Sequence, residues 1–231
     1  MPASRKQNPT VLSRVVWWLL RQLYRWKGYT LENHPPTLDK FILVGAPHTS
    51  NWDFIYFAGA VQEVGISPRF IGKHTLFKWP MTRFMYDMGG MPINRSSPRG
   101  YVDAVVDQVK AADRIALVIA PEGSRTSDGR WRSGFYHIAS GAGVPIVPAW
   151  VDEETGRAGF GEAIMPSGDF HADLARIAEF YRAKLPDCER FEVLAEQAKG
   201  EVATPAKPVE PDLLAPPPAP PSDQLKGPPD A

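Results

Sequence analysis

A histidine and an aspartate stand close together in the first quarter of the chain, directly after an apolar run at residues 41–46. A turn between a strand and a helix would place His48 on a loop and Asp53 in the first helical turn, where the helix dipole favours an ionised carboxylate. Ser50 or Asn51 can cap that helix. The carboxylate could hold one ring nitrogen of the histidine and leave the other as a base for a substrate hydroxyl. The alternative is an ordinary turn histidine beside a helix-starting aspartate, and the pair alone does not decide between them.

A second polar segment follows the most apolar predicted strand, at residues 115–120. Gly123 permits close backbone approach, and the Ser124 hydroxyl and the Arg125 guanidinium suit a phosphate oxyanion. Glu122 could orient that arginine or accept a hydrogen bond from a polyol hydroxyl. The alternative is a solvent-exposed turn with a surface Glu–Arg pair, which would contribute little to stability.

Cations are concentrated between residues 67 and 100, where six basic residues stand against one acidic residue. Arg95 is among them and follows a short predicted strand at residues 91–94. This density favours an anionic ligand or an anionic lipid surface. Aromatic residues interleave with the cations, but their spacing fits helix burial, and the whole chain has 26 basic and 26 acidic residues, which disfavours nucleic acid as a partner. The basic residues are Arg69, Lys73, Lys78, Arg83, Arg95 and Arg99.

The composition limits the class of protein. With 231 residues, of which 43% are hydrophobic and 23% charged, the chain suits one folded domain and excludes wholesale disorder or a polytopic membrane protein. The single cysteine, Cys188, excludes a disulfide framework within the chain and indicates a reducing, cytosol-facing compartment. The histidines lack metal-ligand spacing, and there is no GxGxxG, Walker A or GxSxG motif, so we expect no metal site and no dinucleotide or P-loop chemistry.

The first 30 residues predict a basic amphipathic helix, because they hold six basic residues and no acidic one. Arg14, Arg21 and Arg25 line one side of this helix. Its longest apolar run, residues 15–20, is far shorter than the roughly 20 residues that a membrane-spanning helix needs. We expect this helix, with its paired tryptophans, to lie in the interface of an anionic membrane, and packing on the protein's own surface is the alternative.

Strand-type apolar runs alternate with helical patterns between the two ends, which predicts an α/β fold with a largely parallel sheet flanked by helices. Polar segments after parallel strands would share one sheet edge, where such sheets bind ligands. The predicted division is an interface helix at residues 1–30, one catalytic-sized domain at residues 31–200 and a disordered proline-rich tail at residues 201–231. Strands are predicted at residues 41–46, 69–72, 91–94, 115–120 and 144–150, and helices at residues 51–64, 76–88, 100–112, 134–141 and 173–184.

Taken in order, these segments resemble the four sequence blocks of the glycerolipid acyltransferase family. The resemblance covers about residues 35–170, and the ordered set is far more specific than any single block. It therefore favours the catalytic interpretation of the histidine. The matching residues are His48 and Asp53 for the HxxxxD block, 90–95 for the second block, 122–125 for the EGTR-type block, 144–148 for the proline-bearing fourth block, and Lys73 for a lysine between the first two blocks.

The resemblance implies transfer of a fatty acyl group from acyl-coenzyme A or acyl carrier protein to the hydroxyl of a lysophospholipid. The acceptor expected first is 1-acyl-sn-glycerol-3-phosphate, which would give phosphatidic acid. No cofactor is implied beyond the thioester co-substrate, and the protein would be peripheral or monotopic on the cytoplasmic side of the cell membrane. His48 would be the general base and Asp53 its orienting partner. The residues implied for the glycerol-phosphate site are Lys73, Arg95, Glu122, Gly123, Ser124 and Arg125.

Three positions depart from the family pattern. Pro47 stands where asparagine is usual, Asn94 where aspartate is common, and Ser124, which keeps the hydroxyl, where threonine is commoner. The first two flank the site without removing the base or the cations, so another lysolipid, such as a lyso-ornithine lipid, is an alternative acceptor. Two further functions are alternatives: a peripheral membrane protein that binds anionic lipid without turnover, and a hydrolase that releases the acyl group to water.

Overall fold

A computed structural model describes residues 8–48, 52–73, 77–93, 100–124 and 126–205, apart from the side chains of residues 52–54, 73 and 93. Its described strands form one sheet in the order β1-β7-β6-β2-β5-β3-β4. Most of the predicted tail, residues 206–231, lies outside the described residues. The strands are β1 (Thr30–Leu31), β2 (Lys40–Ala46), β3 (Pro68–Lys73), β4 (Gly90–Ile93), β5 (Ile115–Ile119), β6 (Ile146–Asp152) and β7 (Arg157–Phe160).

The five predicted strands are confirmed as β2 to β6, and the neighbours among them pair in parallel, as expected for an α/β fold. β2 and β5 lie in the middle of the sheet and are near-continuous apolar runs, because helices cover both of their faces. In their register Val44 stands opposite Ile119. The segments that follow these two strands therefore begin side by side at the carboxyl edge of the sheet.

Two strands were not predicted. β7 pairs antiparallel with β6, and β1 pairs parallel with β7, so this side of the sheet departs from the parallel pattern. β1 has only two residues, and β7 contains Ala158 and Gly159 in place of an apolar run. A turn signal was present, since the Asp152 carboxylate accepts hydrogen bonds from the Thr155 hydroxyl at 2.6 Å and the Glu154 amide at 3.0 Å.

The helices agree with the predictions except at two places. The helix predicted at residues 76–88 is reduced to six residues, because Pro80 interrupts the pattern and helix formation resumes only after it. A helix near the carboxyl terminus, α7, was missed although Phe191, Leu194 and Ala198 have helical spacing and are buried. The helices are α1 (Val11–Trp26), α2 (Trp52–Glu63), α3 (Thr82–Asp87), α4 (Gly100–Ala111), α5 (Gly134–Ala142), α6 (Phe170–Lys184) and α7 (Glu189–Ala198).

The helices cover both faces of the sheet and create two different environments. Helices α4 to α7 enclose the main hydrophobic core against one face. Helices α1, α2 and α3 lie over the other face, where smaller apolar clusters surround a cavity. The predicted α/β fold is therefore confirmed, with helices on either side of a largely parallel sheet.

The predicted amino-terminal helix is present as α1 and packs against α2 and α3. Leu20 and Tyr24 are buried, while Asp87 of α3 accepts hydrogen bonds from the Thr10 amide and the Ser13 hydroxyl, both at 2.8 Å. The opposite side of α1 is exposed, with Trp18 among its apolar residues. None of the helices that the structure describes is both long and apolar enough to span a bilayer.

Candidate active site

Two of the predicted polar segments meet at the carboxyl edge of the sheet. His48 follows β2 and Glu122 follows β5, and the parallel pairing of these strands brings the segments together. The His48 amide donates a hydrogen bond of 3.0 Å to Oε1 of Glu122. The structure therefore links the histidine and glutamate segments by a direct contact, although 74 residues separate them in the chain.

The Glu122 carboxylate is enclosed by the protein. Its side chain has no exposed area, and Nη1 of Arg190, on α7, donates to Oε2. The same Nη1 lies 3.4 Å from the carbonyl oxygen of His48 and donates to it. Burial raises the pKa of the Glu122 carboxyl above its ordinary value, while the His48 amide and the Arg190 guanidinium offset part of that rise. Glu122 thus supports the histidine loop, and the alternative of a solvent-exposed turn is wrong for this residue.

The turn after Glu122 needs a glycine. Gly123 has φ of +72°, and a Cβ there would lie 2.8 Å from Cζ of Arg132. The Ser124 hydroxyl stands 2.8 Å from the Thr126 hydroxyl and accepts from the Thr126 amide at 3.1 Å. The guanidinium packed beside Gly123 belongs to Arg132, a residue that sequence reasoning did not select, and the predicted approach of this backbone to a phosphate stays a prediction.

An apolar cavity of about 350 Å³ leads away from the histidine. His48, which is 9% exposed, belongs to its wall, together with the segments that follow β2 and β5. Small-molecule sites are apolar cavities of about this size or larger, with few polar groups. The far side of the cavity is formed by helices α1, α2 and α3 and the residue after α3, which contribute Val16, Leu20, Ala60, Phe84, Met85 and Met88.

The remaining predicted site residues are placed only in part. Asp53 is the second residue of α2, so its backbone occupies the first helical turn as predicted, while its side chain lies outside the described part of the chain. Lys73 ends β3, and its backbone lies at the same carboxyl edge as His48 and Glu122. Arg95 and Arg125 lie outside the described residues, as do the proposed capping residues at positions 50 and 51.

Two cations near the site escaped sequence reasoning. Arg132 stands ten residues after Glu122, outside the predicted polar segments. Arg190 was missed because the segment that carries it was not assigned to a helix. The helical spacing of apolar residues in α7 could have revealed the element, but no sequence signal shows that Arg190 reaches a carboxylate 68 residues away.

The parallel α/β sheet, with a histidine and a buried glutamate at its carboxyl edge, agrees with the family resemblance of the sequence blocks. A family model described as Acyltransferase matches residues 27–152, more than half of the chain, and the protein belongs to this family. The predicted glycerolipid acyltransferase membership is confirmed by this match together with the bacterial relatives described next.

Several curated relatives carry the same name. A chloroplastic 1-acyl-sn-glycerol-3-phosphate acyltransferase of Brassica napus is 35% identical over 123 residues, which are 51% of this chain and 34% of that protein. The 1-acyl-sn-glycerol-3-phosphate acyltransferase of Salmonella typhimurium is 32% identical over 120 residues, 48% of this chain and 47% of its own. The one of Haemophilus influenzae is 28% identical over 156 residues, 62% of each chain. The chain thus matches a third to a half of the length of the first two relatives.

Proposed function

We propose that this protein transfers a fatty acyl group from a thioester, carried by coenzyme A or acyl carrier protein, to the free hydroxyl of a lysophospholipid. The acceptor proposed first is 1-acyl-sn-glycerol-3-phosphate, with phosphatidic acid as product. The observation that carries the proposal is the position of His48, at the carboxyl edge of the sheet and in the wall of an apolar cavity. The name shared by the relatives supports the choice of acceptor.

The histidine would act as a general base, because a lipid hydroxyl is a poor nucleophile until its proton is removed. A ring nitrogen of His48 takes that proton while the hydroxyl oxygen bonds to the thioester carbonyl carbon. The carbon–sulfur bond of the tetrahedral intermediate then breaks, and the thiolate receives the proton from the imidazolium. The products are an ester and a free thiol, so no acyl group is attached to the enzyme.

The apolar cavity would hold the fatty chain. Its wall from α1, α2 and α3 consists mostly of apolar side chains, such as Val16, Leu20 and Ala60, which can exclude water from an alkyl chain. A chain in this cavity would place its carboxyl end near His48. The predicted phosphate-binding residues Lys73, Arg95 and Arg125 would hold the head group of the acceptor.

A lipid substrate requires access to a membrane, and α1 would provide it. Its exposed surface combines cationic residues with apolar ones, and Val16 and Leu20 on its inner side line the cavity. This arrangement supports peripheral binding to an anionic bilayer, with the cavity close to the lipid phase; the side that we propose is the cytoplasmic one, where the lipid surface is anionic. The exposed residues are Arg14, Arg21, Arg25, Val11, Leu12, Val15, Trp18, Leu19 and Trp26.

The test is an acceptor panel with thiol release and mass-spectrometric identification of the lipid product. With 1-acyl-sn-glycerol-3-phosphate and an acyl thioester we expect thiol and phosphatidic acid, and His48→Ala should lower kcat by ~100- to 10,000-fold, the usual contribution of a positioned base. An unchanged melting temperature in this variant would separate lost chemistry from lost folding. Full activity of His48→Ala would refute the mechanism.

The other candidates give different products in the same assay. Acylation of another lysolipid, such as lyso-ornithine lipid, would identify a different acceptor and leave the chemistry intact. Free fatty acid as the product would indicate a hydrolase. Binding to anionic vesicles without thiol release from any donor and acceptor pair would indicate a lipid-binding protein without turnover.

A further inference from the structure

Helix α7 lies beyond the region that matches the Acyltransferase family, yet it contributes directly to the candidate active site. The family match ends at residue 152, and α7 begins at Glu189. Arg190, in its first turn, donates to the Glu122 carboxylate and to the carbonyl oxygen of His48. A side chain from outside the matched domain thus touches both segments that form the site.

Arg190 supplies the positive charge that the buried carboxylate requires. A carboxylate without solvent contact is costly to ionise unless a cation and hydrogen-bond donors compensate it. Glu122 receives one donor from the His48 amide and one from the Arg190 guanidinium. Removing the guanidinium would leave a buried charge uncompensated, so the carboxyl would either take up a proton or move towards water.

Helix α7, which carries Arg190, is attached to the rest of the domain at both of its ends. The Gln197 side chain accepts from the Trp131 amide and donates to the Trp131 carbonyl oxygen, both at 2.8 Å. The Phe191 ring stacks on Tyr181 with centroids 4.7 Å apart, and the Tyr181 hydroxyl donates to the carbonyl oxygen of Val44 in β2 at 2.8 Å. These contacts hold one end of α7 against the loop that follows the Glu122 turn and the other end against α6, which is itself bonded to β2.

We propose that Arg190 is a positioning residue for His48: it holds the Glu122 carboxylate, and the carboxylate holds the histidine loop through its amide. This inference rests on the proposed function only in taking His48 as the base. Arg190 is separated from the reacting atoms by Glu122 and by the His48 backbone, so it would act on the rate of the chemical step and not on the affinity for the acceptor.

The charged and titratable groups that the structure places around Glu122 come from several elements. Arg190 and Cys188 belong to α7 and its start, Tyr181 to α6, and His48 and Arg132 to the neighbouring loops. Among these, Arg190 and the His48 amide lower the pKa of the Glu122 carboxyl, against the burial that raises it. Loss of Arg190 would therefore raise this pKa further.

The experiment compares Arg190→Met with Arg190→Lys and with Arg182→Met as a matched control. Arg182 pairs with Glu192 of α7 at 2.7 Å on the exposed side, so its removal deletes the same charge beside the same helix without touching the site. Arg190→Met should lower kcat by ~10- to 100-fold, as expected when a catalytic group shifts by about 1 Å, with KM for the lysolipid changed by less than about twofold. Arg182→Met should keep the wild-type kcat.

The pH profile provides a readout that a purely structural contact would not change. The acidic limb of the pH profile of kcat should move to higher pH in Arg190→Met, because the Glu122 carboxyl is protonated up to a higher pH than in the wild-type protein. Arg190→Lys should shift this limb less. An unchanged profile and rate in Arg190→Met would overturn the proposal. A rise in KM at constant kcat would overturn it as well and assign Arg190 to phosphate binding.

A measurement that needs no turnover separates this proposal from the proposed function. The chemical shift of the His48 amide proton reports its hydrogen bond to Glu122, and its titration with pH follows the carboxyl. We expect this titration at higher pH in Arg190→Met than in the wild-type protein. Identical titrations would refute the positioning role even in a protein that transfers no acyl group. If Arg190→Met does not fold, Arg190→Gln, which also removes the charge, replaces it in the comparison with wild type, and a coincident titration is again the refuting result.

Discussion

The two faces of the sheet differ in how completely they are filled. Under α4 to α7, side chains such as Leu174 and Ile177 have no exposed area and belong to one continuous core. Under α1 to α3, the apolar side chains enclose about 350 Å³ of empty space that reaches His48. Protein interiors normally pack as densely as organic crystals, so a cavity of this size reduces stability. The comparison assigns stability mainly to one face and leaves on the other the space that we propose for the acyl chain.

The largest effect should come from truncating the filled face. Leu174→Ala removes a fully buried side chain from α6, and we expect the free energy of unfolding to fall by ~2–5 kcal/mol, as for other buried leucines. The activity of the folded fraction should stay at the wild-type value, because α6 lies on the face opposite the cavity. Denaturant unfolding and activity measured on the same sample test both expectations. A change in acyl-chain preference in Leu174→Ala would contradict the division between the faces.

A pair of alanine to leucine substitutions compares the faces with the same chemical change. Ala139→Leu on α5 inserts a larger side chain into the filled core and should cost ~1–3 kcal/mol, whereas Ala60→Leu on α2 projects into the cavity and should cost less. Ala60→Leu should lower kcat/KM for palmitoyl relative to lauroyl thioesters by ~10-fold or more, the scale at which hydrophobic pockets discriminate chain length. Equal chain preference in both variants would show that the cavity does not hold the acyl group.

The contributions of the Asp87 and Glu122 carboxyls to the stability of the protein should depend on pH in opposite directions. Hydrogen bonds from Thr10 and Ser13 and the charge of Arg83 outweigh the effect of burial and lower the pKa of the Asp87 carboxyl, whereas burial raises that of Glu122. The contribution of Asp87 to stability is therefore present above the ordinary carboxyl pKa and is lost as the pH falls through its lowered folded-state value. The Glu122 carboxyl stays protonated to a higher pH in the folded protein than in the unfolded chain. The free energy of unfolding therefore falls as the pH rises from the ordinary carboxyl pKa to the raised pKa of Glu122.

Asp87→Asn and Glu122→Gln test these signs. Relative to wild type, the destabilisation by Asp87→Asn should shrink as the pH falls through the carboxyl range. The stability of Glu122→Gln relative to wild type should improve as the pH rises through the same range. Urea unfolding at a series of pH values measures both differences, and two slopes of the same sign would show that the carboxyls do not differ as described.

The smallest effect on stability is expected on the outer surface of α1. Trp18 is 59% exposed, so Trp18→Ala should change the free energy of unfolding by less than about 0.5 kcal/mol. The binding of Trp18→Ala to vesicles that contain an anionic phospholipid should nevertheless weaken several-fold. Arg21→Ala should weaken the free energy of vesicle binding by about 1 kcal/mol, and added salt should reduce this difference by screening. Met165→Ala, which truncates an exposed apolar residue elsewhere, is the control. If Trp18→Ala and Arg21→Ala bind vesicles as well as Met165→Ala does, α1 is not the lipid contact.

Apolar periodicity predicted the elements with the strongest patterns. β2 and β5 were predictable because both of their faces are covered, which makes them continuous apolar runs. α4 and α6 were predictable because one side of each is buried, which gives their apolar residues helical spacing. β1 and β7 escaped because a two-residue strand and a strand with Ala158 and Gly159 leave too little pattern. α7 was not predicted although its buried residues have helical spacing, because a ten-residue segment offers only three such positions.

The residue types around His48 and Glu122 were predictable because strand ends carry recognisable polar segments. Their relationship was not predictable, because it depends on the register between β2 and β5 and on how far each loop turns back. The expectation that Glu122 orients Arg125 or a substrate hydroxyl did not anticipate the backbone amide of His48 and the Arg190 guanidinium as its described partners.

The amino-acid order alone determined the fold class, the candidate base and the amphipathic character of α1, because these follow from local spacing of apolar and polar residues. Only the tertiary structure decided which side of α1 is buried, where space is left empty and which arginine compensates the buried carboxylate. Those outcomes depend on contacts between segments far apart in the chain, and local spacing carries no information about such distances.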